Sequence, residues 1–309
     1  MSLSKNLLAT IAYYDALDCP LTAFEAWLHC VRMEDDADGD GHAIRLGDVV
    51  AALSGDTFSD RIVPCDGFYP LRGREALVRS RIRSEKISSA KLKRVRSLSR
   101  FLAFVPFVRM IGVTGSLAMK AGDRESDWDF FVVLRAGRIW VGRTFLTGFL
   151  HIIGKRRHGK YHRDRACLNY YVSEDALEIS TKDLFSAHEY QFLVPVVGEE
   201  VFRRFELRNR WIKKFKPQFR PIELLPLWYV REPGAAPRVR RLLEVVFDSA
   251  FLESWLASWQ KKKIARNPKT RIFGGHIEAT DQALIFLPKP RGPRVFERFM
   301  RTWTALRIR

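Results

Sequence analysis

The sequence predicts an α/β protein, and three observations support that. From Phe107 onward, short continuous apolar runs alternate with segments whose apolar positions recur at helical spacing. The first 73 residues read instead as three helices and a hairpin. From about Val201 the chain mixes Arg and Lys with Trp and Phe and reads as mainly helical. The expected units are therefore 1–73, a central α/β unit over 74–198 with a basic lead-in helix, and a basic C-terminal region over 199–309.

In the first unit, LLATIAYYDAL is periodic and stops at Asp18-Cys19-Pro20. Thr22 is placed to cap TAFEAWLHCV, with Glu25 completing a capping box. RLGDVVAALSG predicts a third helix, and RIVPCDGFYPLRG a hairpin turning at Asp66-Gly67. Three helices and a hairpin follow the layout of a winged helix-turn-helix, a nucleic-acid reader. Between them, EDDADGDGHAIRLGD imitates a calcium loop through Asp36, Asp38, Asp40 and Gly41. Its twelfth position is Gly47 where a bidentate Glu is needed, so a solvated acidic loop is expected.

REALVRSRIRSEKISSAKLKRVRSLSR, residues 74–100, predicts a strongly basic helix. FVRMIGV then reads as a strand, GSLAMKAG as a turn and short helix, and WDFFVVL as a strand buried on both faces. GRIWVGRTFLTGFLHIIG predicts a helix, KRRHGKYHRDR a basic loop and ACLNYYVS a third strand. DLFSAHEYQFLVPVV is expected to be helical up to Pro195 and Gly198, with His188 a structural residue inside it. In the C-terminal region DSAFLESWLASWQKKK is a clear helix.

The chemistry gathers at Asp127-Trp128-Asp129. Strand alternation sends both acids to one face, roughly 6–7 Å apart, where they repel by on the order of 2–3 kcal/mol. Protonation, an intervening arginine or a divalent cation would relieve that repulsion. Hard oxygen donors favour Mg²⁺, which completes its shell with water and substrate phosphates. Gly115 and Ser116 close the preceding strand, where glycine admits close backbone approach and a helix start offers amide donors to phosphate. A phosphate cradle beside a carboxylate pair makes a triphosphate site.

Thr114-Gly115-Ser116, the ten residues 117–126, and Asp127-Trp128-Asp129-Phe130 together resemble the motif of the DNA polymerase beta-like nucleotidyltransferase superfamily. The likeness covers roughly residues 105–190, with Thr114 in a slot the family fills with an apolar residue. It implies a nucleotidyltransferase fold with a mixed sheet flanked by helices, and transfer of a nucleoside monophosphate from an NTP. It also implies two metal ions, Mg²⁺ (or Mn²⁺), held by Asp127 and Asp129, and β/γ phosphates held by Gly115 and Ser116. Lys120 and Arg124 lie within the motif loop as further candidates for nucleotide contact, and Lys155, Arg156, Arg157 and Lys160 precede the third strand. The family places a third acid on a later strand. Here the third position falls to Asn169 or, alternatively, to Glu178. Should those two acids lie far from the Gly-Ser bend, point into solvent or both be tied up by arginine, the transferase assignment would collapse.

Fifty-three Lys and Arg against 35 Asp and Glu give a net charge of +18, which favours polyanionic partners and an RNA or other nucleic-acid acceptor. Cys19, Cys30, Cys65 and Cys167 form no CxxC pair, which argues against a zinc site and a disulfide framework. With no signal peptide and no clean apolar span, a cytoplasmic protein without a membrane partner is expected. P-loop, zincin and serine-hydrolase motifs are missing from the sequence.

Overall fold

Apolar periodicity at the N-terminus gives α1 (Leu3–Asp15), α2 (Ala23–Leu28) and α3 (Leu46–Ser54) in the structure, a computed structural model that describes residues 3–32, 44–220 and 232–308. The acidic-loop positions Asp36, Asp38, Asp40 and Gly41 lie outside the described residues. Thr22 and Glu25 form the expected capping box at α2. The hairpin turns through Asp66 (φ +49°) and Gly67 (φ +79°), the left-handed pair a two-residue turn requires, and is held by bridges at Ile62–Leu71 and Cys65–Phe68.

Six strands form one mixed sheet: β1 (Val108–Val113), β2 (Trp128–Leu134), β3 (Ala166–Ser173), β4 (Val194–Val197), β5 (His276–Ala279) and β6 (Ala283–Leu287). Their order is β4-β1-β2-β3-β6-β5. Only β2 and β3 pair in parallel, joined by the crossover helix α6 (Ile139–Ile152). Both faces are covered, as the continuous apolar runs demand. Val132, Leu134 and Tyr171 pack with α6 and with α4 (Ala76–Leu102) on one side. Met110, Phe131 and Val133 pack on α8 (Glu199–Arg208) on the other.

Two elements differ from the sequence expectation. The segment 183–197 is a helix only as α7 (Leu184–Gln191), after which Val194–Val197 become β4. Pro195 sits opposite Gly112 on this outer strand, the position in a sheet that tolerates proline. The mainly helical C-terminal region also carries the β5–β6 hairpin, which extends the sheet beyond β3. Its α-helices among the described residues are, after α8, α9 (Ile212–Phe215), α10 (Ala236–Phe247), α11 (Ala250–Arg266) and α12 (Gly292–Ile308). Phe299 and Trp303 of α12 share a core with Leu7 and Ile11 of α1, so the two ends of the chain pack together.

Helix α4 is more than a solvated basic face. Its buried Lys91 donates to the Arg124 carbonyl (2.9 Å) and the Ser126 carbonyl (2.7 Å), and Ser88 Oγ accepts from the Gly122 amide (3.0 Å). These bonds hold the loop that leads into β2. Arg79, Arg83, Lys86, Lys93, Arg96 and Arg100 stay exposed. Among the described residues no helix is long and apolar enough to cross a membrane.

Candidate active site

Strand pairing assembles the site. β1 runs antiparallel to β2, with Val113 opposite Phe130, so the chain leaving β1 meets the chain entering β2. The Thr114 amide donates to the Asp129 carbonyl at 2.9 Å. Gly115 then turns at φ +66° and opens the short helix α5 (Gly115–Ala118). A Cβ at Gly115 would stand 2.5 Å from Asp129 Oδ2, so this close approach requires glycine. Ser116 lies beside it on α5, and its carbonyl accepts from the Ala121 amide (2.8 Å), which closes the turn.

β3 supplies the other wall. Its parallel register sets Cys167 beside Asp129. An irregularity follows, with Tyr170 opposite Phe131, and Asn169 Nδ2 donates to Asp129 Oδ1 at 3.4 Å. The ligand atoms of Asp127, Asp129 and Cys167 all lie within 4.8 Å of one another. Alternation works as the sequence implies: Trp128 and Phe130 are buried on the opposite face of β2. All three cluster residues remain partly exposed.

Several charges meet here. Arg157, from the basic loop, donates to Asp127 Oδ2 at 2.5 Å and to Cys167 Sγ at 3.3 Å. This ion pair is the arginine alternative foreseen for the two acids, realised at Asp127 alone, while Asp129 is met by Asn169. Burial, then the charge of Asp127, pushes the Asp129 carboxyl up to about 6. Burial and the same two acids push the Cys167 thiol up to about 12, which leaves it protonated and a poor partner for a hard cation.

Two residues reach the site unannounced by the motif. Glu189 of α7 is pushed up to about 7 by burial and by Asp129, while Arg291 and a hydrogen bond from the Gly115 amide pull the other way. Arg291, exposed in the turn before α12, also lowers Asp129 through its charge. Glu189 sits in a helix beside an apolar histidine, a pattern with no local mark of function. Its signal is an acid on the half-buried face of α7, which only the tertiary fold interprets.

The remaining candidates divide. Asn169 stands at the cluster. Glu178 does not: it is exposed beyond the far end of β3 and ion-paired with Lys182. Lys120 is turned to α4, where it pairs with Glu85 at 2.7 Å. Arg124 has an exposed side chain, and its carbonyl is taken by Lys91. Lys155 lies over the Trp128 ring at 5.6 Å. His188 is structural as expected, bonded through Nδ1 to the Tyr14 hydroxyl at 3.2 Å and buried. Comparison with family models, with curated proteins and with solved structures returned no match.

Proposed function

We propose that the chain is a nucleotidyltransferase that moves a nucleoside monophosphate from an NTP to an acceptor hydroxyl, with RNA or another nucleic acid as acceptor. The observation that carries this is the closure of the Gly115 turn onto Asp129, with Asp127 at ligand distance in the same cluster. Asp127 and Asp129 would hold the divalent cations, Mg²⁺ or Mn²⁺, and their hard carboxylate donors fit such ions better than the soft sulfur of Cys167 does. When bound, the cations would offset phosphate charge and favour in-line displacement. The protein's own part is placement. The Gly115 turn, its own amide bonded to Glu189, would bring Ser116 to the triphosphate, and Arg157 and Arg291 add positive charge nearby. The acceptor oxygen forms its bond to the α-phosphorus as the bond to the β-phosphate bridge breaks, pyrophosphate leaves, and the hydroxyl proton passes to a carboxylate of the cluster.

Polyanion binding is supported by α4, whose six exposed bases Arg79, Arg83, Lys86, Lys93, Arg96 and Arg100 share one side of the helix. The winged-helix-like layout of residues 1–73 points to the same class of partner. A second reading, a degenerate scaffold that binds nucleic acid without turnover, is favoured by the Arg157–Asp127 pair and by Asn169 in place of an acid.

One experiment separates the two. The protein is incubated with labelled NTPs, Mg²⁺ or Mn²⁺ and cell RNA, and label on the RNA is followed. Metal-dependent labelling that falls by about 10³-fold or more in Asp127→Ala and Asp129→Ala, with the fold retained, is the expected result. Salt-sensitive RNA binding with no label would favour the scaffold. Equal labelling by both variants would remove the transferase reading.

A further inference from the structure

The acids of the strand-end cluster leave one large surface unexplained. On α10, Val239, Leu242, Val245 and Val246 are exposed, the last three by 66%, 73% and 67%. Across the corner at Asp248–Ser249, α11 exposes Phe251, Trp255 and Trp259, by 81%, 57% and 52%. Scattered single exposures are ordinary, but seven large apolar side chains on two consecutive helices mark a contact surface.

The spacing is orderly. Phe251, Trp255, Trp259, Lys262 and Arg266 recur at steps of three or four, so they fall on one face of α11. The opposite face holds the buried Leu256 and Gln260, and Gln260 donates to the Trp140 carbonyl on α6 at 3.1 Å. Lys263 lies over the Trp259 ring at 5.1 Å. Lys262, Lys263 and Arg266 are exposed, as are Lys269 and Arg271 just beyond the helix.

Acids near this helix are engaged by neighbouring groups, although Asp248 and Asp281 stay exposed. Glu253 accepts from the Trp140 and Val141 amides at the start of α6 (2.9 and 3.0 Å). Asp248 is paired with Arg135 and Arg138, and Asp281 takes Lys261 and the Trp140 indole. The aromatic face of α11 therefore carries only basic charges, Lys262 and Arg266. An apolar protein partner would explain the aliphatic residues but not the one-sided charge. A nucleic-acid strand would stack on the tryptophans yet gain little from four aliphatic side chains. A negatively charged lipid surface uses both features.

We propose that the α10–α11 face docks on the surface of an anionic lipid bilayer, with Phe251, Trp255 and Trp259 at the headgroup boundary and Lys262, Lys263 and Arg266 against lipid phosphates. This is lateral binding without a spanning helix. It reverses the expectation, drawn from the sequence, of no membrane partner, and it stands independently of the transferase reading.

The test uses the full chain with phosphatidylcholine vesicles, alone or with about 30% phosphatidylglycerol, in co-sedimentation and tryptophan-emission measurements. Binding to the anionic vesicles with a blue-shifted emission is expected, and much weaker binding to the neutral ones. The double change Trp255→Ser and Trp259→Ser should weaken binding at least about tenfold. The triple change Lys262→Gln, Lys263→Gln and Arg266→Gln should weaken it on the order of a hundredfold, about fivefold per base. All five positions are exposed, so circular dichroism and thermal midpoint should be retained. Asp127→Ala should bind vesicles as the parent does, whatever its effect on transfer. Failure to bind either vesicle, or unchanged binding by both variants, would overturn the proposal. So would a dimer abolished by the same changes in a protein that ignores vesicles, or binding fully competed by single-stranded RNA.

Discussion

His188 and Glu189 are consecutive residues of α7, yet they belong to polar clusters of opposite sign. Glu189 faces Asp129 and the Gly115 turn. His188 faces Tyr14 in the core beneath α1, where His29 and Lys216 are also buried. In the second cluster Lys216 Nζ donates to the His29 carbonyl at 3.1 Å and lies over the Tyr13 and Tyr14 rings at 5.0 and 4.9 Å. Among the described residues Lys216 has no salt bridge there, and burial pushes it down to about 7. His29 is pushed down to about 3 by burial and then by Lys216. A closed cluster sheds its charge by losing protons. The acid cluster is partly open and keeps its charge balanced by Arg157 and Arg291, groups a ligand can displace or share. That difference is why the first is the candidate site and the second is core.

The largest expected effect breaks the open cluster at its tightest point. In Gly115→Ala the new methyl would meet Asp129 Oδ2 at 2.5 Å, on a backbone held at φ +66°. Stability should fall by about 1–3 kcal/mol. Mn²⁺ binding, read by water-proton relaxation, should weaken about 10–100-fold because a ligand is moved. Unaltered Mn²⁺ affinity in a folded Gly115→Ala protein would detach the glycine turn from the acids.

The closed cluster is sharpened by pH. A lysine whose folded value lies near 7 and whose unfolded value is about 10.5 binds its proton in that window only when unfolded. Stability should therefore rise with pH from about 7 upward, with a slope of at most about 1.4 kcal/mol per unit from this group. His29 acts in the same sense lower down, so its contribution is lost as pH falls from about 6.5 toward 3. Urea unfolding at pH 7, 8 and 9 should show the upper slope in the parent and a flatter profile in Lys216→Met. The same slope in both proteins would show that the ammonium is not the titrating group.

Much of the open cluster is legible in the sequence because it is local. The Gly-Ser bend and the Asp-Trp-Asp strand lie on neighbouring strands close in the chain, and a period of two fixes which side chains share a face. The basic stretch 74–100 is helical throughout the described span Ala76–Leu102. The rest depends on packing. Glu189 and Arg291 reach the acids from α7 and from the turn before α12, and no spacing rule links them to Asp129. The position of Asn169 depends on an irregularity in the β2–β3 register, which side-chain alternation does not announce. The segment Val194–Val197 follows an apolar helical pattern and carries a proline, which masks the strand preference of its three valines, and its pairing with β1 shows only in the fold.

The smallest effect belongs to Glu178, and it is informative beside Glu189. Glu178 is exposed and ion-paired with Lys182 four residues on, which holds its carboxyl below the usual range with help from Arg208. Glu178→Gln should leave the unfolding midpoint and Mn²⁺ affinity where they are in the parent. Glu189→Gln keeps the shape of the side chain beside the Gly115 amide but removes a charge facing Asp129. Mn²⁺ affinity should then fall several-fold, as expected for a group that supports a metal ligand. If the two substitutions behaved alike, proximity to Asp129 would carry no chemical weight. If Glu178→Gln alone weakened Mn²⁺ binding, the third acid would come from the far end of β3, and the cluster built on Asp127 and Asp129 would have to rearrange to reach it.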